Sequence, residues 1–531
     1  MTRVRTRWAA LIGGALLAHT VPALAQDTTA RAVRKRTAYE DLQMFSQVLN
    51  QIRVNHPDSV DTHDLLMAAI SGMVHAADPH SYVVSAVRMS PEKEKEFADK
   101  KIESVPIDWD FARGAPTVAF VYPGTVAAKL DIQPGDELVL VAGKPVLAEN
   151  EVELDLTLAG PKGSELALVF ERQRADGSYA TLARTVKRER SDETATAVPA
   201  VMQLAGGTGY VRITTFSNGK VAEDLHTALE TLDNQGIQRL VLDLRDNGGG
   251  LVKEAGQIAA EFLPRGTVVY TSKGRKQEAI DTGRVERVLW RKPRTYPIAV
   301  MVNSGTASAS ELVAGALQDH DRAVIVGRPS FGKSLMMQGF PMADGSTIVL
   351  VIGTVQTPCG RTVQRPFRTV TRREYYRLAR ADRDTAGRPA CKTTGGRTVY
   401  GGGGIYPDVV LPERAGAPTW LAKLYEDDVV ARWARGYAEA ATPKLSTDAL
   451  EAAKQPPAGA VAAFRAFATA AGQVIPADGD DRLARNLAIA LAYVVGSEKG
   501  AYRMRALLDP DVDAAVQALT RSAEILAVKK E

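Results

Sequence analysis

Residues 327–334 read GRPSFGKS, which meets every fixed position of the phosphate-loop pattern G-x-x-x-x-G-K-[ST]. A phosphate loop runs from a buried strand into a long helix, whose first amides hold the anion together with those of the loop. The apolar run RAVIVG (Arg322 to Gly327) supplies a strand. Downstream, SLMMQGFPMADGSTIVLVIG brings Gly339 and Pro341 within two turns of Lys333 and resumes a β-branched strand at Ser346, so no sustained helix fits. The segment LVLDLRD (Leu240 to Asp246), which resembles a magnesium-binding strand, lies upstream of the loop, the reverse of the usual order, and runs into Gly248, Gly249 and Gly250. Nucleotide binding is therefore not expected, and Lys333 needs another task.

Residues 1–25 carry Arg3, Arg5 and Arg7, an apolar stretch from Trp8 and the small-residue site Ala23-Leu24-Ala25, the layout of a secretory signal. Export to a periplasmic or cell-envelope location is expected. Retention as an uncleaved anchor, with membrane association, is the alternative. Without a cysteine at the new N-terminus, lipidation is not expected. An exported protein also meets little ATP. The formal charge of +4 falls to +1 without the three leader arginines, too balanced to imply a nucleic-acid or membrane surface. RAVRKR (Arg31 to Arg36) reads as a solvated lead-in. With 531 residues and 45% hydrophobic content the chain can bury a large core and form two to four domains. Cys359 and Cys391 are the two cysteines, 32 apart, and either close a loop as a disulfide or stay as thiols. Neither they nor the seven scattered histidines offer a third or fourth ligand spaced for zinc, so no metal and no cofactor is expected.

Helical spacing over residues 38–75, broken at His56-Pro57, predicts two helices within an N-terminal segment of residues 35–85. Within a domain expected over residues 86–190, the pattern from about 104 changes to short strands, APTVAFVY, DELVLVAG and SELALVFER, separated by turn residues. Within it, GTVAAKLDIQPGDELVLVAGKPV (Gly124 to Val146) resembles a PDZ domain, a module that adds a peptide strand to its sheet edge and holds the peptide's carboxylate in backbone amides. The usual glycine-rich carboxylate loop is replaced by ESVPIDWDF (Glu103 to Phe111), leaving open peptide capture or a spacer of PDZ shape. Residues 195–415 alternate strand and helix: GYVRITTF (Gly209 to Phe216), VAEDLHTALETLDNQG, RLVLDLR, a helix from Lys253 to Phe262, and the buried strand PIAVMVN (Pro297 to Asn303). That alternation predicts an α/β domain. Residues 419–531 are alanine-rich and helical, with packing or assembly as their expected task.

The strand ending at Asn303 enters SGTASASELVAGALQDH, with a helix predicted to start near Ser308. Ser308 and Glu311 form a capping-box pattern. Spare hydroxyls also crowd a glycine-bearing turn beside a buried strand, while a second loop offers Gly248, Gly249 and Gly250. Amides at a helix start can hold a developing oxyanion, at about 3–4 kcal/mol for one donor. A serine needs a base. His320, at the far end of the same helix, has no oriented acid, whereas lysine is an established partner. Lys333 would need its pKa lowered from about 10.4 by roughly 3 units, which burial between an apolar strand and SLMM can do.

Taken together, LRDNGGG (Leu244 to Gly250), SGTASASELVAGALQDH, GRPSFGKS, TPCGRTVQ (Thr357 to Gln364) and GGGGIYPDVVL (Gly401 to Leu411) resemble the carboxyl-terminal processing peptidases, or tail-specific proteases. The resemblance runs from near residue 40 to 412, and the 25 positions between Ser308 and Lys333 agree with that family's spacing. It implies a crotonase/ClpP-like core with an inserted PDZ domain and cleavage of peptide bonds near substrate C-termini. Ser308 resembles the family's nucleophile and Lys333 its general base, and Ala309 and Gly250 fall where its oxyanion amides stand. The family's orienting glutamine is due at 337, which is Met337 here, with Gln338 next. Either a one-residue bulge brings Gln338 into reach or the lysine lacks that partner. Residues 365–400 replace a short loop with an arginine- and tyrosine-rich insertion that either shapes substrate access or is a disulfide-tied surface excursion. The expectation is an exported serine endopeptidase acting on unfolded or tailed polypeptides, its oligomeric state open; the alternative is a weak or inactive peptide-binding scaffold.

Overall fold

The computed structural model describes residues 37–78, 80–84, 95–96, 102–110, 115–121, 126–127, 130–132, 136–148, 151–173, 179–189, 197–217, 219–276, 278–286, 292–367, 375, 378, 384–414, 418–427 and 429–528. Residues 1–25, expected to be a secretory signal, the lead-in Arg31 to Arg36 and much of the 365–400 insertion lie outside them. The chain divides into two units at Ala68. In the first, the helix Ala38–Asn55 starts on a capping box, with the Glu40 N–H donating to Thr37 Oγ1 and the Thr37 N–H to Glu40 Oε2, and it stops before Pro57. The next helix, Thr62–Ala77, crosses the division.

In the larger unit, the central sheet is built from runs that read as uninterruptedly apolar because both faces are covered. Its order is Ala200–Leu204, Thr208–Arg212, Arg239–Asp243, Ile298–Val302, Val324–Gly327, Val409–Val410; the first pair is antiparallel and the others parallel. Successive side chains point to opposite faces. Leu240, Leu242, Ile298, Val300 and Val302 pack on Leu225, Leu229, Val313 and Leu317 of the crossover helices. Val241, Ala299, Met301, Val324 and Val326 pack on Val512, Ala515 and Leu519. Each such buried Val, Leu, Ile or Met side chain contributes roughly 1.5–3 kcal/mol.

The strand expected from Gly209 to Phe216 ends at Arg212. Beyond it the backbone leaves the ladder, Thr214 bonding to Ala197 O, so that Phe216 can meet the triple-glycine loop in an isolated bridge to Gly250. The phosphate-loop segment passes from the strand Val324–Gly327 through a turn into the strand Leu335–Pro341, not a helix. That strand pairs with Thr347–Gln356 in a second, antiparallel sheet with Tyr82–Val84, Val268–Lys273 and Ala279–Arg284.

Residues 102–188 hold a separate β-rich module, Ile107–Asp110, Thr117–Val121, Glu137–Val141, Glu165–Gln173 and Tyr179–Lys187, around its own core of Val105, Trp109, Leu138, Leu154, Leu168 and Phe170. Its helix Glu151–Leu158 comes from EVELDLTL, whose polar–apolar alternation carries no helical period. Residues 419–508 bury Leu424, Trp433, Phe464, Leu487 and Met504 in another core. The helix Pro510–Val528 instead covers the central sheet, so the C-terminal helices divide between two cores. No described helix is long and apolar enough to cross a membrane.

Candidate active site

Ser308 sits between the strand Ile298–Val302 and the helix Ala309–Asp319, half-buried, with φ +53° and ψ −121°. A non-glycine residue there stores backbone strain, which persists only where the surroundings enforce it. The Ala307 N–H donates to Asn247 O at 3.0 Å, and the Phe331 N–H to Thr306 O at 2.9 Å. Thr306 Oγ1 donates to Leu244 O at 2.8 Å and accepts the Asn303 N–H at 3.0 Å. Three loops, at 244–251, 303–308 and 328–334, are thereby stitched together.

The buried Asn247 shapes the first of them: its Nδ2 donates to Ile213 O at 3.1 Å and its Oδ1 accepts the Gly249 N–H at 3.0 Å. Gly249 has φ +96°, and a Cβ on it would lie 2.7–2.8 Å from Ala307 O, Ala309 N and Ser308 Cβ, so only glycine brings this loop against the start of the helix. Phe216 donates to Gly249 O at 2.8 Å and accepts the Leu251 N–H at 3.0 Å. In a parallel bridge of that form the N–H of the middle residue, Gly250, faces away from Phe216. Ala309 is the first helical residue, one of the positions whose N–H has no intrahelical acceptor.

Glu311 joins the other two loops. Its carboxylate is fully buried; Oε2 accepts the Ser308 N–H and the Lys333 N–H at 2.9 Å each, and Oε1 accepts the Gly332 N–H at 2.7 Å and the Ser330 hydroxyl. Two bonds meeting on one oxygen hold the backbone nitrogens of Ser308 and Lys333 within twice 2.9 Å of each other. Burial pushes this carboxyl up to about 7, against the downward pull of the four donors. The sequence pattern S-x-x-E announces the cap on Ser308 and gives no sign of the donors from residues 330–333.

Lys333 is partly buried where its loop enters the strand Leu335–Pro341. Its successor is fixed by the Ser334 N–H donating to Gln364 Oε1 at 2.7 Å and Ser334 Oγ donating to Val355 O at 2.6 Å. Register with the partner strand shifts between Met336, opposite Gly353, and Met337, opposite Val351, so the extra residue of the bulge is Ile352 on the partner strand. Met336 packs against the core, while Gln338 is exposed. His320 is turned elsewhere, its Nε2 at 2.7 Å from Val268 O. Asp243 is held by Arg212, Arg245 and the Tyr210 hydroxyl; although burial raises it, the guanidiniums keep its carboxyl well below the usual range.

The insertion reaches this site through Tyr375, which is fully buried and whose hydroxyl donates to Gly332 O at 3.3 Å and accepts from Gln364 Nε2 at 3.0 Å. Arg365, also buried, donates to Gly403 O at 2.6 Å and through its backbone N–H to Gly332 O at 2.9 Å. Cys359 and Cys391 are joined in a disulfide with 6.0 Å between their Cα atoms. The nearby Asp319 carboxylate binds Arg361 at 2.8 Å and the Cys359 N–H at 3.1 Å. The site thus brings together a serine with strained backbone at a helix start and a lysine on the adjoining loop, their amides tied through one carboxylate oxygen.

Residues 207–370, the span that contains all three loops, match the model of peptidase family S41. The carboxy-terminal-processing protease of Bartonella bacilliformis is 30% identical over 360 residues, covering 66% of this chain and 79% of that protein. The carboxy-terminal processing protease CtpB of Bacillus subtilis is 29% identical over 366 residues, 67% of this chain and 73% of that one. Among solved structures, the photosystem II D1 C-terminal processing protease superposes with a TM-score of 0.46 at 23% identity, over 72% of this chain and 89% of its own. By that kinship in sequence the chain belongs to peptidase family S41, with the carboxy-terminal processing proteases, and is a protease.

Proposed function

We propose that this protein is an exported serine endopeptidase that cuts unfolded or tailed polypeptides near their C-termini, with Ser308 as nucleophile and Lys333 as general base. A neutral Lys333 amine takes the Ser308 Oγ proton as Oγ attacks the scissile carbonyl. The Gly250 and Ala309 N–H groups hold the resulting oxyanion, each worth about 3–4 kcal/mol. The carbon–nitrogen bond then breaks, the lysine's proton passes to the leaving amine, and water hydrolyses the acyl-serine with the same amine as base. The observation that carries this reading is the single Glu311 oxygen shared by the Ser308 and Lys333 amides.

Several features support the wider reading. Helices on both faces of a largely parallel sheet suit a crotonase/ClpP-like core, and a β-rich module with its own core suits a PDZ-like domain that presents or gates substrate tails. The composition of residues 1–25 supports export. Gln338 is exposed on a strand whose bulge residue lies on its partner, and this does not support it as the residue that orients Lys333. Met337 at the expected glutamine position favours the second reading, a scaffold of little or no activity. Wild type and Ser308→Ala, each incubated with casein and with a defined tailed peptide, separate the two. Turnover lost only in the variant supports the protease mechanism; equal turnover, or none in either, removes it.

A further inference from the structure

We propose that the start of the C-terminal helix Pro510–Val528 is a positioning device for the active site, with Asp509 and Asp511 clamping the loops that carry Gly250 and Lys333. The proposal rests on the Ser308/Lys333 reading. Arg245 stands at the base of the triple-glycine loop and is anchored on Asp243; its Nη1 donates to Asp509 Oδ2 at 2.7 Å, with Asp511 Oδ2 3.5 Å away. Arg328 opens the loop to Lys333; its Nη1 donates to the same Asp511 Oδ2 at 2.7 Å and its Nη2 to Pro412 O, with Glu413 3.8 Å from Nε. The Asp511 N–H donates to Asp509 Oδ1 at 2.9 Å, making one rigid acidic corner. Arg414 adds bonds to both carboxylates from the rim, at 2.9 and 2.7 Å.

Three properties separate this corner from a surface ion pair. Arg245, Arg328 and Asp511 are almost wholly buried, and removing one partner of a buried charge pair leaves the other uncompensated. The helix cannot drift from its corner, since Val512, Ala515 and Leu519 are locked into the sheet core and Ser522 Oγ accepts the Ile298 N–H at 3.1 Å. The two arginines precede the two loops whose relative placement sets the distance from oxyanion donor to base, and misplacement of about 1 Å can cost a hundredfold in rate. Although burial pushes the Asp511 carboxyl up, Arg328 and Arg414 hold it below the usual range, so the clamp stays charged at neutral pH.

The test measures kcat and KM on a tailed peptide for wild type, Ser308→Ala, Asp511→Asn, Asp511→Glu and Arg414→Ala, with hydrogen exchange of residues 244–251 and 328–334 followed in parallel. For Asp511→Asn the clamp predicts a fall in kcat of about 10- to 100-fold with KM within about threefold, and faster exchange in both loops. Asp511→Glu should recover part of the rate, and Arg414→Ala, which takes one half-exposed cation from the rim of the same corner, should lower kcat less than Asp511→Asn. If Asp511→Asn does not fold, Arg328→Lys serves, since it keeps the charge and loses the forked contact. Wild-type kcat and unchanged exchange in Asp511→Asn or Arg328→Lys overturn the clamp. A fully active Ser308→Ala instead overturns the underlying mechanism, so the two failures are distinct.

Discussion

At Glu311 a single carboxylate caps a helix and ties two loops, so its replacement is felt in both activity and stability. Glu311→Gln exchanges an oxygen acceptor for an amide donor facing backbone N–H groups, and a fall in kcat of about 10- to 100-fold is predicted. The stability effect has a definite sign. The folded-state pKa, raised to about 7 from the ordinary 4.5, means that the folded chain holds its proton longer than the unfolded one. Its stabilising contribution is fully present below the ordinary carboxyl value and is lost as pH rises through about 7, on the order of 3 kcal/mol. Urea titrations between pH 4 and 8 should show that slope in wild type and its loss in Glu311→Gln; parallel slopes would exclude the assignment. Gly249→Ala places a methyl on Ser308 and Ala309 at φ +96°, and at least about 2 kcal/mol of stability and most of the activity should go with it. A variant of wild-type melting temperature and rate would show that the loop does not press on the helix start. The proposed roles of Ser308, Lys333 and Gly250 were legible in residue type, spacing and the family resemblance. The second task of Glu311 was not, because its extra donors reach it only through folding.

Among the elements, the apolar runs Arg239–Asp243 and Ile298–Val302 and the helices Val221–Asn234 and Ala309–Asp319 declare themselves, since uninterrupted and 3.6-periodic apolar patterns have few other uses. The end of Thr208–Arg212 does not, because the chain leaves the ladder for a tertiary contact with Gly250. Gly339 and Pro341 exclude a helix after Lys333 without revealing on which strand the bulge lies; Ile352, far along the chain, decides that. The disulfide is also an element-scale feature, tying the 357–364 segment, which reaches Ser334 through Gln364, to the hairpin Ala390–Lys392/Thr398–Tyr400. Closing a loop of 32 positions contributes about 3–4 kcal/mol by chain entropy. Reductant should lower the melting temperature by several degrees, and the unreduced chain should weigh two hydrogens less than the reduced one. Equal masses would rule the bond out.

For the whole molecule, the helix Pro510–Val528 behaves as a layer of the catalytic unit, although its sequence resembles that of the helices before it. What distinguishes it is the partner it finds some 200–300 positions away, which no local pattern encodes. Leu519→Asp would bury a carboxylate against Val241, Met301 and Val326 and should cost at least about 3 kcal/mol, against under about 0.5 kcal/mol for an exposed substitution such as Glu524→Gln. Similar denaturation midpoints for the two variants would show that the helix is dispensable to the sheet. The proposed mechanism turns on one amine, and NMR can read it. Lysine labelled with 13C at Cε, with the Lys333 signal assigned by its absence from Lys333→Arg, should titrate at this residue between about 7 and 8. A midpoint near the ordinary 10.4 or so in the active enzyme would contradict the claim that Lys333 is the base.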